Sequence, residues 1–275
     1  MTGWISCGSF RCRLEGDSEL IVCIPSQLTE QWREMPALSE TIEIHLEKAA
    51  VMELERVPDG WALIGDQKSS QAVFVRNNKT VFSLQSIDED EMIVRVGIVS
   101  PKMSRLAVHY GIMFALRKKC VGLHGVTLLC GREVIILSAP SGTGKTTLAK
   151  LLEQYGDGLV VNGDFALLYP AEDGVIFEPT PFCGTSGRAL NHRFRIDRIV
   201  FLSQAKTNEW CELSGREAMK RFMSNAFVPT WDNSIQQEVQ DNILKCLGLL
   251  KVSSYAFAPT QEAAETFLRH VEEMN

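Results

Sequence analysis

The segment Ala139-Pro140-Ser141-Gly142-Thr143-Gly144-Lys145-Thr146 follows the apolar run Val134-Ile135-Ile136-Leu137 and precedes Leu148-Ala149-Lys150-Leu151-Leu152. A buried strand, a glycine-rich loop and a helix, in that order, constrain the chain to an α/β fold with a phosphate-binding loop, or P-loop. Two glycines let the backbone wrap closely around phosphate oxygens. The N-terminus of the following helix adds a dipole that favours an anion. On this reading Ser141, Gly142, Thr143, Gly144, Lys145, Thr146 and Thr147 bind the nucleotide. Lys145 reaches the outer phosphates and the Thr146 hydroxyl holds Mg²⁺. The usual first glycine of such a loop is replaced here by Ala139.

The chain of 275 residues is long enough for one large domain or two smaller ones. Its net charge of −6 and pI near 5.5 argue against a dedicated nucleic-acid binder. No apolar run is long enough to span a bilayer. The first residues, Met1 to Ser6, lack a basic region followed by an apolar one, so no secretory signal is read there. The eight cysteines are scattered singly, without a C-x-x-C pair. Reduced core cysteines of a cytoplasmic protein are the expectation, ahead of disulfides or a zinc site.

Residues 1–100 read mainly as strands and form a smaller β-rich N-terminal domain. They include an apolar run at Glu19–Ile24 and a hairpin turning at Asn77-Asn78-Lys79. A strand over Met92–Val99 follows, and Pro101 breaks the pattern. From Ser104 to Leu116 the period becomes helical, with Leu106, His109, Tyr110, Met113 and Leu116 on one face. Residues 101–275 form the second domain. Strands are expected at Leu123–Leu129, Glu133–Leu137, Leu159–Val161, Phe165–Tyr169, Gly174–Phe177, Arg198–Leu202 and Val252–Phe257. Ser214-Gly215-Arg216-Glu217 reads as a capping box. It opens the first of three late helices; the others cover Asn233–Leu247 and Gln261–His270.

A P-loop implies a nucleotide, and phosphoryl transfer to an alcohol also needs a group that positions or deprotonates the hydroxyl. Asp164 is the best candidate. It follows an apolar strand about twenty residues after Lys145, where Asn162-Gly163 lets the backbone turn. It suits either a metal-linked acid or the base that takes the acceptor proton. His124 lies on the strand before the P-loop strand, where a lone histidine is more often a hydrogen-bonded core residue than a catalytic one. Glu178 ends another strand and is a candidate second metal-linked acid. Arg188, His192, Arg193, Arg195 and Arg198 follow the small-residue stretch Phe182-Cys183-Gly184-Thr185-Ser186-Gly187. In an acidic protein such a cluster either closes over phosphates or an acidic acceptor, or is a solvated loop. Arg188, Arg193 and Arg195 are the candidate contacts.

Leu123-His124-Gly125, Ser141 to Leu148 and the acidic strand end at Asp164 resemble the catalytic domain of HPr kinase/phosphorylase. They are closer still to the shorter kinases related to it, including those encoded beside lasso-peptide genes. Pro181-Phe182-Cys183-Gly184, Ile199–Ala205, Leu213–Ala218 and Trp231-Asp232 extend the resemblance over roughly residues 104–270. It implies a P-loop domain related to ATP-type phosphoenolpyruvate carboxykinase, with Mg²⁺ and ATP and, for the namesake, a serine hydroxyl as acceptor. It places Lys145 and Thr146 on nucleotide and metal, Asp164 on one acid of a paired motif, and His124 on the motif histidine. This chain departs by carrying Gly163-Asp164 where the namesake has two adjacent aspartates.

The expectation is therefore an ATP-dependent kinase acting on a hydroxyl, with Lys145, Asp164 and His124 catalytic and Thr146, Asp164 and Glu178 on Mg²⁺. The acceptor expected first is a serine of a peptide or protein, such as a ribosomally made precursor. The alternatives are a metabolite kinase or a catalytically silent ATP-binding scaffold. The N-terminal domain is the natural place for acceptor recognition or contact between copies in a homo-oligomer. Neither nucleic acid nor membrane is an expected partner.

Overall fold

Alternation with a period of two builds the first sheet. In Glu40–Lys48 the side chains of Ile42, Ile44 and Leu46 point into the core, and in Phe10–Gly16 those of Phe10, Cys12 and Leu14 do so. The computed structural model describes residues 1–24, 40–54, 61–66, 71–184 and 186–273. It is a mixed α/β chain with two sheets. The chain divides into Met1–Lys118 with Val228–Glu238, and Lys119–Phe227 with Val239–Asn275.

The first unit holds β1 (Thr2–Cys7), β2 (Phe10–Gly16), α1 (Ser18–Val22), β3 (Glu40–Lys48), β4 (Trp61–Asp66), β5 (Gln71–Arg76), β6 (Lys79–Ser86), β7 (Glu91–Val96) and α2 (Pro101–Ala115). The strand order is β1-β2-β3-β7-β6-β5-β4. Asn77 and Asn78 have φ of 49° and 61° and close the β5–β6 hairpin expected there. The apolar run after Asp17 is a helix and not a strand, because the Asp17 carboxylate caps it by accepting from the Glu19 N–H at 2.9 Å. Pro101 likewise opens a helix. It sits in the first turn, where its missing N–H costs nothing, behind the cap Ser100. The buried stripe of α2 runs through Met103, Ala107, Val108, Gly111 and Ile112, rotated from the face expected. Gly111 faces Val94, where a Cβ would come within 2.9 Å, so the helix lies close on β7.

The second unit holds β8 (Val121–Cys130), β9 (Glu133–Ser138), α3 (Lys145–Tyr155), β10 (Leu159–Asn162), β11 (Phe165–Ala171), β12 (Gly174–Glu178), β13 (Phe194–Ile196), β14 (Arg198–Gln204), β15 (Glu209–Glu212), α4 (Gly215–Asn225), β16 (Lys251–Phe257) and α6 (Gln261–Glu273), with α5 (Asn233–Leu249) entering it. Its strand order is β13-β12-β11-β8-β9-β14-β16-β15, with β10 beside β8. β9, β14 and β16 are parallel, so their C-terminal ends share one edge. All six residues of β9 are buried. Ser214 caps α4 by accepting from the Glu217 N–H, but the Glu217 carboxylate pairs with Arg221 one turn on and does not complete a capping box. Six of the eight cysteines are buried, and none is bridged. Burial pushes the thiols of Cys130 and Cys246 up to about 12, which leaves them inert. No helix among the described residues is long and apolar enough to cross a membrane.

Arg198 and Glu133 start β14 and β9. Both are buried, and the guanidinium donates through Nε at 2.9 Å and Nη2 at 3.2 Å to the two carboxylate oxygens. Arg198 thus belongs to the sheet edge opposite the glycine-rich loop and stands apart from the other arginines of its cluster. Arg198→Met leaves the buried Glu133 carboxylate with Lys251, half-exposed and 3.8 Å away, as its ion-pair partner. The expected loss is about 3–5 kcal/mol, read as a fall in the urea unfolding midpoint.

Candidate functional site

The C-terminal ends of the three parallel strands carry the glycine-rich loop. Ser138 ends β9 and leads into it, and its hydroxyl donates to the His124 carbonyl at 2.9 Å. Gln204, the last residue of β14, donates to the Gly142 carbonyl at 3.3 Å. Phe257, the last of β16, packs under Gly144, where a Cβ would come within 3.1 Å of its ring. Gly142 and Gly144 have φ of 82° and 106°, a conformation that side chains disfavour, so both positions require glycine. Lys145 opens α3 and is buried. Its ammonium donates to the carbonyls of Ala139 at 2.7 Å and Pro140 at 3.2 Å. Burial holds it below its usual pKa, and the charge of Asp164 opposes that effect. Ser141, Thr146 and Thr147 are exposed at the loop and the first turn of α3.

Asp164 sits on a bend that interrupts one long strand. β10 and β11 both run antiparallel to β8; the register shifts between Val160 and Asn162, and from Asn162↔Thr127 to Phe165↔His124 the two strands advance residue for residue through the bend. The buried amide of Asn162 holds the bend. Its Oδ1 accepts from the N–H groups of Asp164 and Phe165, each at 3.1 Å, and its Nδ2 donates to the Thr180 carbonyl at 3.1 Å. The segment after Phe182 locks onto this bend. A Cβ on Gly163 would lie 1.9 Å from the Ser186 hydroxyl, and one on Gly184 would lie 2.7 Å from the Asp164 carboxyl carbon.

His124 faces the same bend from β8. Its Nδ1 lies 3.0 Å from the Asp164 carbonyl and 3.5 Å from Asp164 Oδ1. A carbonyl only accepts, so Nδ1 carries the proton and Nε2 the lone pair. Burial, and then repulsion from Lys145, push the imidazole below its ordinary 6.5, while Asp164 pulls the other way. His124 is therefore neutral near pH 7. Lys145, Asp164 and His124 form one electrostatic cluster at the loop, as their sequence positions on adjoining elements lead one to expect.

The other candidates are placed differently. Glu178 is fully buried, and Arg193 binds it with both prongs, Nε to Oε2 at 3.0 Å and Nη2 to Oε1 at 2.7 Å. A buried carboxylate needs a counter-charge, and the Arg193 guanidinium supplies one. Arg195 turns away to the Asp173 carbonyl, 2.6 Å from Nη2, and covers Gly174 at the β11–β12 hairpin. Arg188 pairs with Glu153 of α3. With Thr146, Lys150, Gly163 and Ser186 that pair lines a cleft of about 280 Å³ floored by Val126, Ala149 and Val160. Thr185 lies outside the described residues. Among those described, no group of three or more His, Cys, Asp or Glu side chains is placed to hold a metal alone.

Sequence reasoning treated Asn162 only as part of a turn and missed Lys150, Glu153 and Gly184. Lys150 and Glu153 stand one and two turns beyond Thr146, a helical spacing that could have revealed their shared face.

The depressed pKa of His124 gives a sign for pH dependence. The unfolded chain takes up this proton more readily than the folded one. The contribution of His124 to stability is thus complete above its ordinary 6.5 and is lost as pH falls through the lower folded value. In an NMR titration His124 should titrate below 6.5 in the wild type. Lys145→Met should raise its pKa, and Asp164→Asn should lower it. Gly184→Ala, which displaces the Asp164 carboxylate, should lower it too. A His124 titration unmoved by Lys145→Met would separate the two residues.

No protein-family model matches this chain, and no curated protein matches it. Among solved structures it is similar to the Hpr(Ser) kinase/phosphatase from Coxiella burnetii. The identity is 12% and the TM-score 0.32, over 56% of this chain and 95% of that one.

Proposed function

We propose that the second unit is the catalytic part of an ATP-dependent kinase of the P-loop type, which transfers the γ-phosphoryl group to an alcohol. The observation that carries this reading is the meeting of Lys145, Asp164 and His124 at a glycine-rich loop on the C-terminal ends of parallel strands. That edge is where open α/β sheets bind ligands. The loop and the N-terminus of α3 receive the phosphates. Lys145 leaves its two loop carbonyls and neutralises charge on the transferring group. The acceptor oxygen forms the new P–O bond, ADP departs with the electrons of the broken bridge, and Asp164 takes the hydroxyl proton. Neutral His124 donates from Nδ1 to the Asp164 carbonyl and so steadies the bend that presents the carboxylate.

The donor set fits Mg²⁺, which takes one or two carboxylates and completes its shell with substrate phosphates and water. Thr146 and Asp164 would hold it, and it would supply charge neutralisation at the phosphates. The acceptor favoured by the resemblance is a serine of a peptide or protein, with a free metabolite as the other case.

One observation favours the reading as a catalytically silent scaffold. The Ser186 hydroxyl fills the space a side chain at Gly163 would occupy, so no second acid fits beside Asp164 without moving that segment. Transfer of label from γ-labelled ATP into extract of the source cell decides between the two. Lys145→Ala should lower transfer by about 10²–10³-fold and weaken ATP binding. Asp164→Asn should lower transfer by about 10²–10⁴-fold with ATP binding kept. An Asp164→Asn protein with undiminished turnover removes Asp164 from the chemistry. ATP binding without transfer above the Lys145→Ala background favours the scaffold.

A further inference from the structure

The cleft beside α3 begins where the chemistry is. Thr146 and Gly163, neighbours of Lys145 and Asp164, line one end of it. Its volume of about 280 Å³ admits a few heavy atoms or one extended side chain, and no folded surface. The floor is apolar, whereas the rim is charged and unevenly so. The Glu153 carboxylate is already engaged by the Arg188 guanidinium and by the Val160 N–H at 3.3 Å. Lys150 lies one turn from Thr146 and is exposed. It has no hydrogen-bond or ion-pair partner among the described residues. An unmatched cation at the mouth of a small cleft, in a chain of net charge −6, marks a place for an anion. The nucleotide phosphates already have the loop and Lys145.

We propose that this cleft binds the acceptor, and that the acceptor carries a carboxylate beside the hydroxyl that is phosphorylated. Lys150 and Arg188 hold the carboxylate by charge-assisted hydrogen bonds, and the hydroxyl points toward Asp164 past Gly163. Arg188 exchanges Glu153 for the ligand, and the Val160 N–H keeps Glu153 hydrogen-bonded. The assignment to an acceptor rests on the kinase reading, whereas binding of the anion does not. Two sources supply this chemistry: a free hydroxy or amino acid, and a peptide serine flanked by an acidic residue.

Calorimetric titration of the full chain, with Mg²⁺ and a non-hydrolysable ATP analogue present, distinguishes them. The probes are L-serine and the capped dipeptide acetyl-Ser-Glu-amide. At least one should bind the wild type, and which one does identifies the source. Lys150→Ala and Arg188→Ala should each weaken that binding by about tenfold to a hundredfold. Lys150→Arg should retain it, and binding of a fluorescent ATP derivative should stay unchanged in all three. The proposal falls if neither probe binds at millimolar concentration, if the alanine variants bind equally well, or if they weaken nucleotide binding instead. Its failure is separable from that of the kinase reading. Lys150-dependent binding without any transfer of label leaves the cleft standing and removes the kinase. Transfer to an acceptor lacking a carboxylate, indifferent to Lys150→Ala, does the reverse.

Discussion

The buried amide of Asn162 is the constraint on which the site depends. A strand that breaks inside a sheet leaves backbone N–H groups without ladder partners, and each buried one left unpaired costs about 1–3 kcal/mol. Asn162 absorbs two of them, at Asp164 and Phe165, and anchors itself on Thr180. Because those groups are satisfied, the strand can bend at Gly163-Asp164 while β10 and β11 both stay on β8. The Asp164 carbonyl then accepts from the Gly125 N–H at 2.9 Å and faces His124 Nδ1. The acid is therefore set by its backbone on one side and by Gly184 against its carboxylate on the other.

The loop is held by the same logic of strand ends. Parallel pairing of β9, β14 and β16 brings Ser138, Gln204 and Phe257 to one edge, and each of them touches or leads into the loop or its neighbour His124. At the far edge the same strands begin with the buried Glu133–Arg198 pair, flanked by Lys251 at 3.8 Å. Fixed charges thus pin the strand starts, while hydrogen-bonding and aromatic side chains shape the strand ends. A ligand at the loop meets backbone carbonyls, a lysine and one carboxylate instead of a preformed ion pair.

What the sequence made legible was local. The strand, loop and helix around Lys145 follow from an apolar run, two glycines and a helical pattern in one continuous stretch. His124 and Asp164 could be brought near Lys145 because His124 lies on the strand before the one that leads into the glycine-rich loop, and Asp164 follows the strand after its helix. Pairings across long separations were not legible. Nothing in the neighbourhood of Glu178 reveals that Arg193 covers it. Arg198 looked like a member of an arginine cluster because its partner Glu133 lies 65 residues away. Single caps also overruled patterns: Asp17 turned an apolar run into α1, and Arg221 drew Glu217 out of its capping box. The cleft escaped because its walls come from α3, β8, β10 and the segment after Phe182, and only one wall has a period visible in sequence.

Burial gives the cluster at the loop its responsiveness. It disfavours charge on Lys145 and on His124 alike, and the Lys145 charge further disfavours a proton on His124, whereas Asp164 favours charge on both. Lys145 keeps its charge by donating to two loop carbonyls, and His124 stays neutral. An anion arriving at Lys145 changes this balance, because it offsets the repulsion felt at His124 and itself favours a proton there. Binding linkage is reciprocal, so a proton on His124 must favour the anion by the same factor. On the kinase reading proposed above, proton and phosphate would be coupled through charges that the fold leaves incompletely neutralised, and the bend at Asn162 sets how close His124 and Asp164 lie.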